Sequence, residues 1–251
     1  MLENAALGVI VFGPGLAIGS FLNVVASRVP MNLAIGTSRS ECMTCGHEIR
    51  WYDNIPLLSF IVLKGRCRDC SASIPWRYPI VELGTALLIA LAFARFGATA
   101  YAVLAAGFLV VLVAISAIDI EHHIIPNKIV LPSAAVVLVA HTLIDPSPEW
   151  AIAAVGSAAV LLTIALIKPG GMGMGDVKLC LLLGAMLGRN VGVALLVGFL
   201  AAMIPSLYLY ARHGKAAGKM TIPLGPFLAL GSAVALFFGN EILDAWLGLS
   251  G

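Results

Sequence analysis

Residues 101–118 read YAVLAAGFLVVLVAISAI, a run without a charged side chain, and the next residue is Asp119. A helix needs about 20 mostly apolar residues to cross the roughly 30 Å of a bilayer's hydrocarbon core. The run therefore predicts a membrane-spanning helix that ends on an acid. Similar apolar stretches cover 5–27, 78–94, 129–144, 150–167, 177–188, 191–211 and 222–247, about eight spans in all. The sixth, 177–188, is short and reads as a broken or half-buried span. The composition agrees: 60% of the 251 residues are apolar and 11% are charged, against about 25% charged in soluble domains. Mean hydropathy is +1.00. Such a chain is neither disordered nor a soluble globule, because it lacks the polar groups to cover a surface. A net charge of +2 is too small to point to a nucleic-acid partner. The expected fold is an all-α polytopic membrane protein with the lipid bilayer as its surroundings.

Loop charges predict the orientation, because Lys and Arg gather on the cytoplasmic side. With the long segment after the first span inside, the inside segments hold Arg28, Arg39, Arg50, Lys64, Arg66, Arg68, Arg77, Lys128, Lys168, Lys178, Arg212, Lys215 and Lys219. The outside segments hold only Arg95 and Arg189. Both termini are then outside. Met1-Leu2-Glu3-Asn4 lacks the basic n-region of a secretory signal, so the first span is expected to be retained.

Segment 28–77 is the only stretch long enough for an extramembrane module. The expected organisation is a first span over 1–27, a cytoplasmic loop domain over 28–77 and a seven-helix membrane domain over 78–251. Four of the five cysteines lie in the loop, as Cys42-Met43-Thr44-Cys45 and Cys67-Arg68-Asp69-Cys70, 21 residues apart. Two such knuckles offer four thiolates in the tetrahedral pattern of a structural zinc site. A pair of disulfides is the alternative, disfavoured in a reducing compartment. Metal binding would supply folding energy to a loop too small for its own core. Gly46 and Gly65 suit the turns beside the knuckles, and Cys180, in an apolar span, reads as a packed hydrophobe.

Outside the loop, acids are scarce. Asp119 ends the third span, and Asp176 begins the sixth in Gly173-Met174-Gly175-Asp176-Val177-Lys178. Both fall at cytoplasmic ends, and an ionisable residue at membrane depth is a functional candidate by default. Two carboxylates sharing a site do not both ionise easily, so they hold one proton between them and titrate as a unit. One then takes a proton from water while the other polarises a scissile carbonyl. The alternatives are an interfacial acid at Asp119 and a helix cap at Asp176. A transporter using the two acids as a cation site, or a docking subunit with a metal-stapled loop, is the rival function. His122 and His123 read as interfacial polar residues, and Lys178 as a snorkelling or substrate-contacting side chain.

Taken in order, these features resemble one family. They are Gly19-Ser20-Phe21-Leu22-Asn23 with Arg28-Val29-Pro30, then the two CxxC pairs around Trp51-Tyr52-Asp53-Asn54-Ile55-Pro56-Leu57-Leu58-Ser59-Phe60, then Arg77-Tyr78-Pro79-Ile80-Val81-Glu82. Ile118-Asp119, Ile125-Pro126-Asn127, the run Gly173–Lys178 and Ile222-Pro223-Leu224-Gly225-Pro226-Phe227 follow. The chain resembles the type IV prepilin peptidases, also called prepilin leader peptidase/N-methyltransferases, over nearly its whole length. The resemblance implies a GxGD-type intramembrane aspartic protease of the bacterial inner membrane, with Asp119 and Asp176 as its catalytic acids. Its substrates would be type IV prepilins and type II secretion pseudopilins, cut after Gly and before Phe. It further implies methylation of the new N-terminus with S-adenosylmethionine, an activity tied to no residue by spacing. Asp53, Asn54 and Glu82 are the candidates for it, and Tyr52-Asp53-Asn54 also suits a turn or cap.

Overall fold

In the computed structural model, residues 2–36, 40–168, 172–214 and 221–248 are described. Arg39, Gly171, Lys215 and Lys219 lie outside these residues. The described chain is helical, with no strand beyond two isolated bridges, Glu41 with Glu48 and Arg66 with Ser73. It divides into two compact units, 1–106 and 107–251.

The first unit contains α1 (Leu2–Arg28), the short α2 (Leu58–Val62), α3 (Arg77–Phe96) and the start of α4 (Ala100–His122). Helices α1 and α3 pack along their lengths because small residues face each other. A Cβ on Gly15 would lie 2.8 Å from the Ala86 Cα, and one on Gly19 would lie 2.6 Å from the Glu82 Cα. Without a hydrophobic drive between helices in lipid, this backbone approach is what gains contact area. α1 continues through Pro14 as one helical element.

The second unit holds the end of α4, α5 (Asn127–Ile144), α6 (Glu149–Ile167), α7 (Met174–Leu187), α8 (Val191–His213) and α9 (Gly225–Leu247). Seven stretches among the described residues are long and apolar enough to cross a membrane. One of them, Met174–His213, joins the expected sixth and seventh spans. A 3-10 turn at Gly188–Asn190 divides it, and Gly188 takes φ +54°, where a side chain would be strained. Fourteen residues of α7 rise only about 21 Å at 1.5 Å each, short of the hydrocarbon thickness. α7 is instead enclosed by protein: Leu179, Cys180, Leu182 and Leu183 are fully buried, with α5 and α6 packed on it and α8 on α9. Cys180 is thus a packed core residue.

Gly184 of α7 sits where a Cβ would come 2.5 Å from the Ala154 Cα of α6. Gly184→Val forces these backbones apart and is expected to cost more than about 2 kcal/mol. Gly156→Ala, at a helical site with nothing within 4 Å, is the control. Denaturant unfolding in detergent should show the midpoint falling for the first variant only. An unchanged midpoint for Gly184→Val would remove the close α6–α7 contact from the account.

Candidate functional site

The second unit brings residues far apart in the chain to one end. Asp119 lies in the last turn of α4 and is buried. Its Oδ2 accepts the N–H of Gly225, the first residue of α9, at 2.8 Å. The positive end of a helix dipole favours an anion there. Position 225 must be glycine, since a Cβ would stand 2.8 Å from that oxygen. Pro226 follows at the start of α9, where its missing N–H costs nothing. The helix therefore begins at 225, three residues beyond the expected 222, with its cap aimed at Asp119.

Asp176 lies in the first turn of α7 and is buried as well. Its N–H donates to the Gly173 carbonyl at 3.1 Å, and its Oδ2 lies 3.1 Å from where a Cβ on Gly173 would stand, so the carboxyl sits against the start of α7. The Asp119 and Asp176 carboxylates lie within electrostatic reach of each other. Gly175 explains the approach: a Cβ there would meet Ile125 Cβ at 2.9 Å, so only a glycine lets α7 start against the bend after α4. Lys178 Nζ donates to Asn127 Oδ1 at 2.9 Å, linking the starts of α7 and α5. Lys178, read from sequence as a snorkelling or substrate-contacting side chain, is hydrogen-bonded to this asparagine. His123 leaves the helix at φ +52°, and His122 lies 3.8 Å from Glu121.

The four loop cysteines converge in the first unit. The Sγ atoms of Cys42, Cys45, Cys67 and Cys70 all lie within 4.8 Å of one another, and Cys42 to Cys70 is 3.8 Å. All four are free thiols, and a disulfide needs sulfurs about 2.05 Å apart. A tetrahedral zinc with bonds of about 2.3 Å places its sulfurs about 3.8 Å apart, so the donor set fits that ion. The knuckles repeat each other at an offset of 25 residues. Cys42 N–H bonds His47 O as Cys67 N–H bonds Ala72 O, and Gly46 N–H bonds Cys42 O as Ser71 N–H bonds Cys67 O. Gly46 (φ +69°) and Ser71 (φ +58°) make the same left-handed turn. Ser71 escaped sequence reasoning because it is not glycine, although the 25-residue offset was there to find.

Clustering divides the thiols. Amides of Cys45 and Thr44 hold the Cys42 thiol down at about 6. Cys70 is pushed up to about 12: the Ala72 amide opposes the rise, and desolvation with the Cys45, Cys67 and Cys42 side chains outweighs it. One thiolate forms readily and the crowded neighbour keeps its proton. A bound cation would displace such protons.

Of the residues considered for methyl transfer, Asp53 and Glu82 are hydrogen-bonded within the chain. Arg68 grips Asp53 with two bonds of 2.8 and 2.7 Å, which hold that carboxyl below its usual range. Glu82 Oε2 accepts the Leu57 N–H at 2.8 Å. Trp51–Asn54 forms a 3-10 turn without a side-chain cap, so the turn reading applies.

The chain is similar to known proteins. Residues 14–96 match the family model described as the bacterial peptidase A24 N-terminal domain, and residues 106–211 match the type IV leader peptidase family. The chain is 35% identical to a prepilin leader peptidase/N-methyltransferase of Bacillus subtilis (strain 168), covering 96% of this chain and 98% of the relative. It is 33% identical to the protein of that name in Pseudomonas putida, covering 94% and 92%. No solved structure matches. Two buried acids at helix ends and a four-thiol loop are thus found in a chain that belongs to the type IV leader peptidase family.

Proposed function

We propose that this polytopic inner-membrane protein is an aspartic endopeptidase that removes the leader of type IV prepilins and pseudopilins after Gly and before Phe, and then methylates the new N-terminus. The observation that carries the reading is the burial of Asp119 and Asp176 within electrostatic reach of each other, at the starts and ends of α4, α7 and α9. Thirteen of the fifteen basic residues fall in segments assigned to the inside, which supports an active end and a four-cysteine loop facing the cytoplasm and both termini outside.

The chemistry follows from a shared proton. The ionised carboxylate takes a proton from water, and the water oxygen attacks the Gly–Phe carbonyl carbon. The protonated carboxyl donates to the carbonyl oxygen. Collapse breaks the C–N bond and the proton passes to the leaving amine, with no covalent enzyme intermediate. The Gly225 amide keeps the Asp119 carboxylate oriented while this happens. S-adenosylmethionine would supply the methyl group. The second activity rests on the family, and no step is assigned to a residue. Zinc held by Cys42, Cys45, Cys67 and Cys70 would be structural, closing a loop that has no apolar core of its own.

Asp119→Asn and Asp176→Asn should each fold and lose leader cleavage by about a thousandfold or more. The assay mixes the purified protein with a prepilin in liposomes, with and without S-adenosylmethionine, and reads the new N-terminus by mass spectrometry. Full activity in either variant would sink the acid pair, and no cleavage by folded wild type across several substrates would favour a transporter.

The pH profile of cleavage should be bell-shaped or one-sided, because the pair works only with one proton aboard. A flat profile from pH 4 to 9, where about 5 pH units would span any carboxyl titration, speaks against this chemistry.

Elemental analysis should find about one zinc per wild-type chain, as a four-thiolate site requires. Cys45→Ser should lose most of it and loosen the loop backbone enough for trypsin to cut after Lys64 or Arg66. A metal-free wild type with a protease-resistant loop would remove zinc from the account.

A further inference from the structure

The loop holds an inverted element. In α2, Ser59 is buried at 8% exposure, while Leu58, Ile61 and Val62 are 54%, 70% and 64% exposed. In water this arrangement is backwards. Ser59 Oγ is turned inward to serve backbone groups: it donates to Tyr52 O at 2.9 Å and accepts the Ile55 N–H at 3.0 Å. Trp76, at 70% exposure, extends the apolar face through its ring contact with Phe60 at 5.0 Å. Lys64 and Arg66 are exposed directly after α2.

Glu82 sets the depth of this element. It lies five residues beyond Arg77, where α3 begins, about 7.5 Å along the helix axis. Its carboxylate accepts the N–H of Leu57, which precedes α2 and takes φ +59°. The start of α2 is therefore level with the second turn of a spanning helix. Irregular backbone at that depth is tolerated only where its polar groups find partners, and Glu82 and Ser59 are those partners.

We infer that α2 and Trp76 insert into the headgroup–acyl boundary of the protein's own membrane, with Lys64 and Arg66 on the headgroups of anionic phospholipid. An apolar face beside basic residues is the pattern of an interfacial segment, and tryptophan favours that depth. Charge complementarity selects anionic over zwitterionic lipid. A basic substrate leader is repelled by the same two residues. Glu82 is then a positioning residue that ties the loop to the leaflet. The inference rests only on α3 spanning the membrane, so its failure would leave the peptidase reading intact.

The test uses the full chain with Trp51, Trp76, Trp150 and Trp246 replaced by Phe and a single indole introduced by Ile61→Trp. The protein is reconstituted in phosphatidylcholine vesicles containing brominated phosphatidylcholine or brominated phosphatidylglycerol. Both lipids should quench the indole. Enrichment of about fivefold for each basic side chain near the surface should make the glycerol lipid the stronger quencher by about twofold or more. Lys64→Glu with Arg66→Glu should abolish that preference and keep the acyl-chain quenching. Water-like emission untouched by either lipid overturns the inference. Blue-shifted emission that neither lipid quenches also overturns it, because protein then covers the face. Equal quenching by both lipids in the unsubstituted loop overturns the anionic selection. If the tryptophan-free chain does not fold, Trp76→Phe in the native chain gives the same decision: it should remove part of the lipid-quenched emission, and no change sinks the idea.

Discussion

The hydrogen bond from the Gly225 amide to Asp119 fixes the functional end of the second unit. A buried carboxylate at the end of a membrane-spanning helix has little water to solvate it, so it needs a donor supplied by the protein. The start of α9 supplies one together with the favourable end of its dipole. This constraint links the end of α4 to the start of α9, across more than a hundred residues of chain. Gly175 against Ile125 and Lys178 on Asn127 then set where α7 begins, and with it Asp176. Three helix ends meet where the two acids lie.

A short helix inside a membrane is costly unless something other than lipid surrounds it. α7 meets that condition with apolar side chains turned toward α5 and α6, and its polar contacts are internal. Ser157 donates to the Cys180 carbonyl at 2.9 Å, and the buried His141 ring lies 3.2 Å from the Ala185 carbonyl. His141 also stacks on Trp150 with ring centroids 3.8 Å apart. These contacts hold the far part of the helix, leaving its first turn to carry Asp176. Gly188, in a conformation that side chains avoid, turns the chain into α8.

The loop of the first unit solves a different problem. Its knuckles have few buried apolar residues among the described residues, and a metal held by the four thiols would do what a core does elsewhere. Arg68 on Asp53 and Glu82 on the Leu57 amide connect the parts between the knuckles and the helices.

The membrane class, most span positions, the four-thiol set and the two acids were legible in the sequence, because hydropathy and ligand spacing are local properties. The scarcity of charge made Asp119 and Asp176 stand out, and Gly46 announced its turn. Ser71, Gly225 and the inverted face of α2 were not legible in the same way. A serine in a left-handed turn carries no composition signal, and a buried serine under exposed leucine and isoleucine contradicts the usual pattern. The sequence by itself determined which residues are apolar enough to cross lipid and which ionisable and thiol side chains stand among them, since both follow from side-chain type and spacing. Only the tertiary structure decided which helix ends meet, because a hydrogen bond between residues 119 and 225 depends on packing that no local pattern encodes.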